Sequence, residues 1–198
     1  MAELAINGGE PVRTKPWPAW PLFDEAEENA LIEVLRSGRW YYAEKVKEFE
    51  KEFAAFQDAG FAVAVCNGTA ALEAALVCRG VGAGDEVIIP AYTFRATADA
   101  VLRANAIPVF CDVELDTFNL DAEAAAALIT DRTKAVVPVH WAGLPCDMDR
   151  IGELAAEHGL AVIEDACHSW GSRWKGKGTG ALGDAGGFSF QLSKNITA

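Results

Sequence analysis

The chain has little positive charge for its length. Its 198 residues include 17 Lys and Arg against 29 Asp and Glu, which gives a formal net charge of −12 at pH 7. It also lacks a basic segment interleaved with aromatic residues, and its negative field repels polyanions. We therefore expect no nucleic-acid partner, and a site for an anionic ligand would have to concentrate positive charge locally.

Long apolar segments are missing as well. No apolar run approaches the roughly 18 residues of a membrane-spanning helix, and the opening MAELAINGGEPVRTKPWP lacks the apolar centre of a signal peptide. The composition is nevertheless 51% hydrophobic, with a mean hydropathy of +0.10, so a full core is expected. These features predict a cytoplasmic protein without a membrane partner.

The cysteines form no metal-binding or redox pattern. There are 5 of them, with no CxxC pair and no His and Cys cluster at the spacing of a zinc site. We expect no metal ion, and we interpret the cysteines as small buried apolar side chains in a reducing compartment. Cys167 lies two residues after Asp165, a candidate site residue.

After a Gly- and Pro-rich opening, helical and strand-like segments alternate. Residues 1–23 predict an extended arm and residues 24–198 a single domain. Helices are predicted from Asp24 to Gly38 and over 43–56. Short apolar runs, separated by helical patterns, predict strands at 61–65, 86–90, 107–113, 134–140, 160–166 and 186–190. Strands that are apolar on both faces are typical of a mostly parallel sheet covered by helices, an α/β fold.

Residues with reactive or binding groups follow these predicted strands. In an open α/β sheet, ligands bind outside the carboxyl ends of the strands. The residues found at or just after these ends are Asn67, Gly68, Thr69, Phe94, His140, Asp165, His168 and Lys194, and Ser189 lies near the end of the last predicted strand. Their number and variety predict a ligand site at this edge of the sheet.

This set of groups suits an aromatic aldehyde that carries a phosphate. The predicted helix beginning at Thr69 offers free N–H groups to an anion, and the Thr69 and Ser189 hydroxyls can add hydrogen bonds. Phe94 can stack on a planar ring, and Asp165 can hold a protonated ring nitrogen. A neutral Lys194 amine can condense with the aldehyde. Together these groups predict pyridoxal 5′-phosphate (PLP) as cofactor.

Several of these residues also have simpler interpretations. A lysine near a terminus is usually a solvated charge, an aspartate after a strand can cap a helix, and a phenylalanine usually belongs to the core. For His140 and His168 a structural, hydrogen-bonded role remains open. The sequence at 178–183 spells GxGxxG, but no helical pattern follows it, so we interpret it as a turn before a strand.

Six stretches in order resemble the DegT/DnrJ/StrS family of PLP-dependent sugar aminotransferases. They are SGRWYYAEKVKEFEKEFAAF, NGTAALEAAL, GAGDEVIIPAYTFRATADAV, PVHWAGLPCDMD, VIEDACHSWGS and GDAGGFSFQLSKNITA. The opening LAINGGEPVRTKPWP is similar to the branch that contains cyclitol aminotransferases and 3-amino-5-hydroxybenzoate synthases. The resemblance covers nearly the whole chain.

The resemblance implies a fold and a set of residue roles. The fold is a three-layer α/β sandwich, the large domain of the aspartate aminotransferase type, ending before that fold's small C-terminal domain. The resemblance also implies that Lys194 attaches PLP, that Asp165 pairs with the pyridine nitrogen and that His168 contacts the ring hydroxyl. Phe94 would stack on the ring, and the phosphate would be held by Gly68, Thr69 and Ser189. Asn67 stands where the family often has Ser. A homodimer of the full-length protein is also implied.

We therefore expect an aminotransferase that moves an amino group from glutamine or glutamate to a keto sugar, a nucleotide-linked keto sugar or a keto cyclitol. A dehydrating and aromatising enzyme of the 3-amino-5-hydroxybenzoate synthase kind is the alternative. Related dehydratases often carry His in place of the lysine, so Lys194 favours transfer. Because family members continue beyond the position of Ala198, a truncated, non-catalytic fragment is a further alternative.

Overall fold

Helices and strands alternate along the computed structural model, which describes residues 3–197. The chain falls into two units, Met1–Trp40 and Tyr41–Ala198. The predicted division into an arm over 1–23 and a domain over 24–198 stays a prediction.

The first unit contains a short 3-10 turn at Ala5–Asn7 and one longer helix, α1, at Glu25–Ser37. Helix α1 begins with a capping box, in which the Asp24 carboxylate accepts from the backbone of Ala26 and the Glu27 carboxylate accepts from the N–H of Asp24. It ends at Gly38, whose φ of 66° is left-handed. The predicted start and end of this helix are confirmed.

The second unit combines five α-helices and a short 3-10 turn at Trp141–Gly143 with seven strands among its described residues. The helices are α2 (Glu44–Phe56), α3 (Gly68–Cys78), α4 (Ala96–Arg103), α5 (Ala122–Ala127) and α6 (Met148–His158). The strands are β1 (Glu86–Pro90), β2 (Ile107–Cys111), β3 (Thr133–Val136), β4 (Ala161–Asp165), β5 (Arg173–Trp174), β6 (Lys177–Gly178) and β7 (Ala185–Gly187).

Five of the strands form a parallel sheet in the order β2-β1-β3-β4-β7. Strands β5 and β6 form a separate antiparallel hairpin, which the sequence analysis did not predict. The carboxyl ends of parallel strands lie at one edge of a sheet. The turns after β1, β3, β4 and β7 therefore meet at that edge.

Helices cover both faces of the sheet. Val87 and Ile89 of β1 pack with residues of α3 and α4, whereas Ile88, between them, packs with residues of α5 and α6. Neighbouring residues of a strand point to opposite faces, so the two clusters are the two sides of one sheet. The predicted three-layer α/β fold is confirmed.

The strand predicted at residues 61–65 is wrong. These residues form neither helix nor strand, and Phe61 is 83% exposed. A strand requires a neighbour that completes its hydrogen-bond ladder, and among the described residues the parallel sheet ends at β7. The amide of Ala64 instead donates to Oε1 of Glu50 at 2.8 Å.

Four predicted strands extend beyond those observed: β2 and β4 by two residues each, β3 by four residues at its carboxyl end, and β7 by three residues at its carboxyl end. Strand β3 ends at Val136 instead of residue 140. Pro138 has no N–H and so interrupts the ladder there, although Val139 still forms a single bridge to Asp165. Strand β7 ends at Gly187, because the following residues turn away from the sheet and the Phe190 ring packs on α2, 5.2 Å from that of Phe53.

The glycine-rich segment ahead of β7 packs backbone against backbone. A Cβ on Gly186 would lie 2.3 Å from Cα of Gly180, whereas a Cβ on Gly152 of α6 would meet nothing within 4 Å. Backbone atoms cannot move aside as a flexible side chain can. Gly186 is therefore required for this approach, while Gly152 is not.

We expect Gly186→Ala to lower the free energy of unfolding by about 2–3 kcal/mol, because the added methyl group overlaps a rigid segment. The matched control Gly152→Ala should raise it by about 0.5–1 kcal/mol, because alanine favours a helix interior. Urea denaturation of both variants measures the effects. A Gly186→Ala variant as stable as the parent would contradict the packing.

Candidate functional site

Helix α3 begins beside the turn that follows β7. The Asn67 side chain caps the helix by accepting from the N–H of Ala70 at 2.9 Å, and the amides of Gly68 and Thr69 have no acceptor within the helix. A Cβ on Gly68 would lie 3.0 Å from Cβ of Ser189. Glycine at this position therefore allows the helix terminus and the Ser189 hydroxyl to approach each other, an arrangement suited to a phosphate group.

The carboxylate of Asp165 has a fixed orientation at the end of β4. It is buried, and its Oδ2 accepts from the hydroxyl of Thr97 at 2.8 Å while its Oδ1 accepts from the N–H of Cys167 at 3.2 Å. Each carboxylate oxygen can accept more than one hydrogen bond. Asp165 thus retains the capacity to bind one further donor, such as a protonated ring nitrogen.

Thr97 was missed by the sequence analysis. It lies on α4 with 1% of its surface exposed, and it is joined to Asp165 although 68 positions separate the two residues. The spacing of Thr93 and Thr97, four residues apart at the start of a helix, was the available signal.

His168 and Lys194 lie within electrostatic range of each other. Partial burial lowers the pKa of His168, the positive charge of Lys194 lowers it further, and the negative charge of Asp165 opposes both effects. His168 is therefore neutral at neutral pH and can take part in hydrogen bonds through one donor and one acceptor nitrogen. Lys194 itself is half-buried, which argues against an ordinary solvated charge.

The Phe94 ring lies on the turn between β1 and α4 and is 65% exposed. Its backbone carbonyl accepts from the N–H of Thr97 at 3.1 Å, which fixes the turn to the helix. Phe94 is therefore not a core residue. Its exposed ring can offer a face to a planar ligand.

Aromatic residues continue the surface beyond His168. The Trp141 ring lies 5.5 Å from that of His168, and Tyr92 lies 4.3 Å from Trp141. Phe118 follows at 5.5 Å from Tyr92. These rings form a wall at the sheet edge of the kind that lines pockets for small organic molecules.

Backbone N–H groups of the glycine-rich turn at 178–183 bind a carboxylate of the protein itself, the side chain of Glu164. Glu164 of β4 is fully buried, and its oxygens accept from the N–H groups of Gly180, Leu182 and Gly183, each at 2.7 Å. Clustered backbone N–H groups of this kind bind anions. The turn leads into β7, so its interpretation as a turn before a strand is confirmed.

His140 completes the surroundings of Glu164. Its ring is fully buried, Nε2 lies 2.9 Å from Oε2 of Glu164, and Nδ1 accepts from the N–H of Cys146 at 3.1 Å. Nε2 therefore carries the proton and donates a hydrogen bond to the Glu164 carboxylate. This geometry confirms the structural interpretation of His140. The Glu164 role was missed, although an acid inside a buried strand was a signal for it.

Hydrogen bonding controls the charge of Glu164. Burial would raise the pKa of this carboxyl, but the hydrogen bonds from His140, Gly183 and Gly180 together outweigh burial and lower it. Glu164 is therefore a buried carboxylate whose charge is satisfied inside the protein.

The cysteines are only partly as predicted. Cys111 and Cys146 are buried, and burial raises their thiol pKa to about 11 and about 12. Cys66 and Cys78 are exposed, so the prediction of burial is wrong for them. Cys66 follows the unpaired segment 61–65, and Cys78 lies on the last turn of α3.

Among residues 3–197, no group of three or more His, Cys, Asp or Glu side chains could hold a metal ion. None of the helices in the same range is both long and apolar enough to cross a membrane.

Residues 21–198 match the DegT/DnrJ/EryC1/StrS aminotransferase family. The chain belongs to this family. An L-glutamine:2-deoxy-scyllo-inosose aminotransferase from Streptomyces fradiae is 43% identical over 205 residues, which cover 100% of the chain and 48% of the relative. The chain thus spans about half the length of the curated relatives it matches.

Solved structures of family members resemble this chain closely. The crystal structure of a 3-amino-5-hydroxybenzoic acid synthase has 48% sequence identity and a TM-score of 0.89, and covers 92% of this chain and 48% of its own. NtdA from Bacillus subtilis, solved with bound cofactor PMP, has 35% identity and a TM-score of 0.81, over 86% of this chain and 38% of its own. Both likenesses confirm the fold of a family aminotransferase.

We expect Glu164→Gln to lower the free energy of unfolding at pH 7 by about 3 kcal/mol, because an amide group beside N–H donors leaves buried groups unpaired. Glu157→Gln, on an exposed position of α6, is the matched control and should change it by less than about 0.5 kcal/mol.

The same pair of variants has a predicted pH dependence. Since the pKa of Glu164 is lowered by folding, its stabilising effect is complete above the ordinary glutamate pKa of about 4.3 and is lost as the pH falls through the lower folded-state value. The difference in free energy of unfolding between the parent and Glu164→Gln, measured by urea denaturation, should therefore become smaller as the pH falls from 7 to 3. A constant difference would refute this role for the Glu164 charge.

Proposed function

We propose that this chain carries the cofactor-binding part of a PLP-dependent aminotransferase, which moves an amino group from an amino acid to a keto sugar, a nucleotide-linked keto sugar or a keto cyclitol. The observation that carries the proposal is the buried Asp165 carboxylate, fixed by Thr97 and Cys167 with acceptor capacity to spare. Membership of the aminotransferase family supports it. The activity of the whole protein is part of the proposal.

The residues present fit PLP. The close approach at Gly68 leaves room only for backbone beside Ser189, so the amides at the start of α3 and the hydroxyls of Thr69 and Ser189 can receive the phosphate. Asp165 would hold the protonated pyridine nitrogen, and the exposed Phe94 ring would lie against the face of the cofactor. The PMP bound in NtdA supports this assignment.

Lys194 and His168 supply the remaining roles. When bound, PLP supplies an electron sink next to the carbon that loses a proton. Lys194 would attach the cofactor through its amine. Once the amino donor has freed it, its Nζ would take a proton from the donor carbon and, as an ammonium group, give that proton to the cofactor carbon. Neutral His168 would hydrogen-bond to the ring hydroxyl, and Asp165 would keep the ring nitrogen positive.

We further propose that the full-length protein acts as a homodimer in the cytoplasm. Its partners would be an amino acid donor and a small keto acceptor. The net charge of −12 argues against a nucleic-acid partner, and we propose no membrane partner.

Labelling can test the role of Lys194. With PLP and borohydride, the full-length protein should acquire a stable label on the peptide that contains Lys194, because reduction fixes the lysine adduct. Lys194→Ala should lose this label, and Lys177→Ala, at an exposed position, should keep it. Peptide mass spectrometry locates the label, and a label on another lysine would overturn the assignment.

A second candidate function comes from the 3-amino-5-hydroxybenzoic acid synthase with 48% identity. Such an enzyme would dehydrate and aromatise its substrate instead of transferring an amino group to it. The residues proposed to hold PLP would be the same in both cases, so only the substrate distinguishes them.

We expect the full-length protein, given glutamine, to convert a keto-inositol or a nucleotide keto-sugar to the amine, with glutamine consumed in equal amount. Mass spectrometry of the products measures the transfer. Formation of an aromatic amine from an aminoshikimate-type substrate, with no amine from either keto substrate, would replace the first function by the second.

A further inference from the structure

A chain of two threonine hydroxyls leads to Asp165. The Oγ1 atom of Thr97 lies 2.7 Å from Oγ1 of Thr93 and 2.8 Å from Oδ2 of Asp165. An ionised carboxylate can only accept a hydrogen bond, so Thr97 donates its proton to Asp165. Its oxygen is then free to accept the proton of Thr93. The carboxylate therefore sets the direction of the whole chain.

A purely local role for the Thr97 hydroxyl fits the distances less well. Threonine in a helix often donates to a carbonyl of the preceding turn, and here the carbonyl of Phe94 is 3.2 Å away. The contact with Asp165 is shorter, at 2.8 Å, and hydrogen bonds to a charged acceptor are the stronger kind. A hydroxyl has one proton, and the carboxylate is its better acceptor.

The hydroxyl chain joins two parts of the proposed cofactor site. Phe94 follows Thr93 in sequence, and its carbonyl accepts from the N–H of Thr97 at 3.1 Å. Thr97 therefore holds the turn of Phe94 through its backbone and the carboxylate of Asp165 through its side chain. In the proposed function, Phe94 lies against the face of the cofactor ring and Asp165 lies at the ring nitrogen.

We propose that Thr97, supported by Thr93, is a positioning residue that aligns Asp165 with the Phe94 turn before PLP binds. Thr97 itself acts through Asp165 and not on the cofactor. This inference rests on the proposed function, because it needs Asp165 to contact the ring nitrogen. Without the Thr97 hydroxyl, the Asp165 carboxylate would lose one of its two hydrogen-bond donors and would bind the ring nitrogen less well.

The test measures PLP affinity of the full-length apo-protein by equilibrium dialysis. Thr97→Val keeps the shape of the side chain and removes the hydroxyl, and it should weaken PLP binding about tenfold. Thr97→Ser keeps the hydroxyl and should stay within about twofold of the parent. Thermal melting of each apo-protein reports separately on folding.

A double variant separates positioning from general stability. If Thr97 acts through Asp165, then Thr97→Val should add little weakening to a protein that already carries Asp165→Asn. Equal weakening in both backgrounds would overturn the proposal and leave Thr97 a structural residue. If Thr97→Val does not fold, Thr93→Val takes its place and should weaken binding about threefold only when Asp165 is present.

The outcomes also separate this inference from the proposed function. If Asp165→Asn weakens PLP binding but Thr97→Val or Thr93→Val leaves it unchanged, only the role of Thr97 is overturned. Asp165→Asn that leaves PLP binding unchanged would overturn the proposed function, and the inference with it.

Discussion

The proposed site depends on how two adjacent carboxylates are hydrogen-bonded at the end of β4. Glu164 and Asp165 point to opposite sides of the strand because side chains alternate along it. Glu164 receives donors from His140 and three backbone N–H groups and is fully satisfied. Asp165 receives two donors and has capacity left. A buried carboxylate is stable only when its hydrogen bonds are made, so the first carboxylate serves the fold, and the second is the one that we propose binds a ligand.

The satisfied carboxylate also organises the site around it. Its donors lie in the turn at 178–183, and this turn contacts Gly186 of β7 through backbone atoms. The chain leaving β7 then meets the start of α3 where Gly68 adjoins Ser189. The glycine-rich turn at 178–183, whose sequence resembles a dinucleotide-binding motif, thus helps to position the proposed phosphate site through its contact with β7.

Local sequence predicted those parts of the fold that depend on local interactions. The cap at Asp24, the end of α1 at Gly38 and the buried strand β1 follow from residues close together in the chain. The segment 61–65 has the composition of a strand, but pairing depends on a neighbour from elsewhere in the sequence. The rule on strand ends pointed to Asp165 at the end of β4. It also pointed to Gly68, but through the predicted strand at 61–65, which does not form. It could not find Thr97, because its partnership with Asp165 requires knowing that α4 packs beside β4.

The negative charge of the chain constrains how an anionic cofactor could be bound. Arginines do lie near the start of α3, since Arg95 and Arg103 line a cavity with Asn67 and Thr69. Each is paired with an acid, Arg95 with Asp99 at 3.8 Å and Arg103 with Glu73 at 2.7 Å, so their charges are largely compensated. Phosphate recognition would then fall to the amides of α3 and the hydroxyls of Thr69 and Ser189. Such donors act at contact distance, where geometry and not the long-range field selects the ligand.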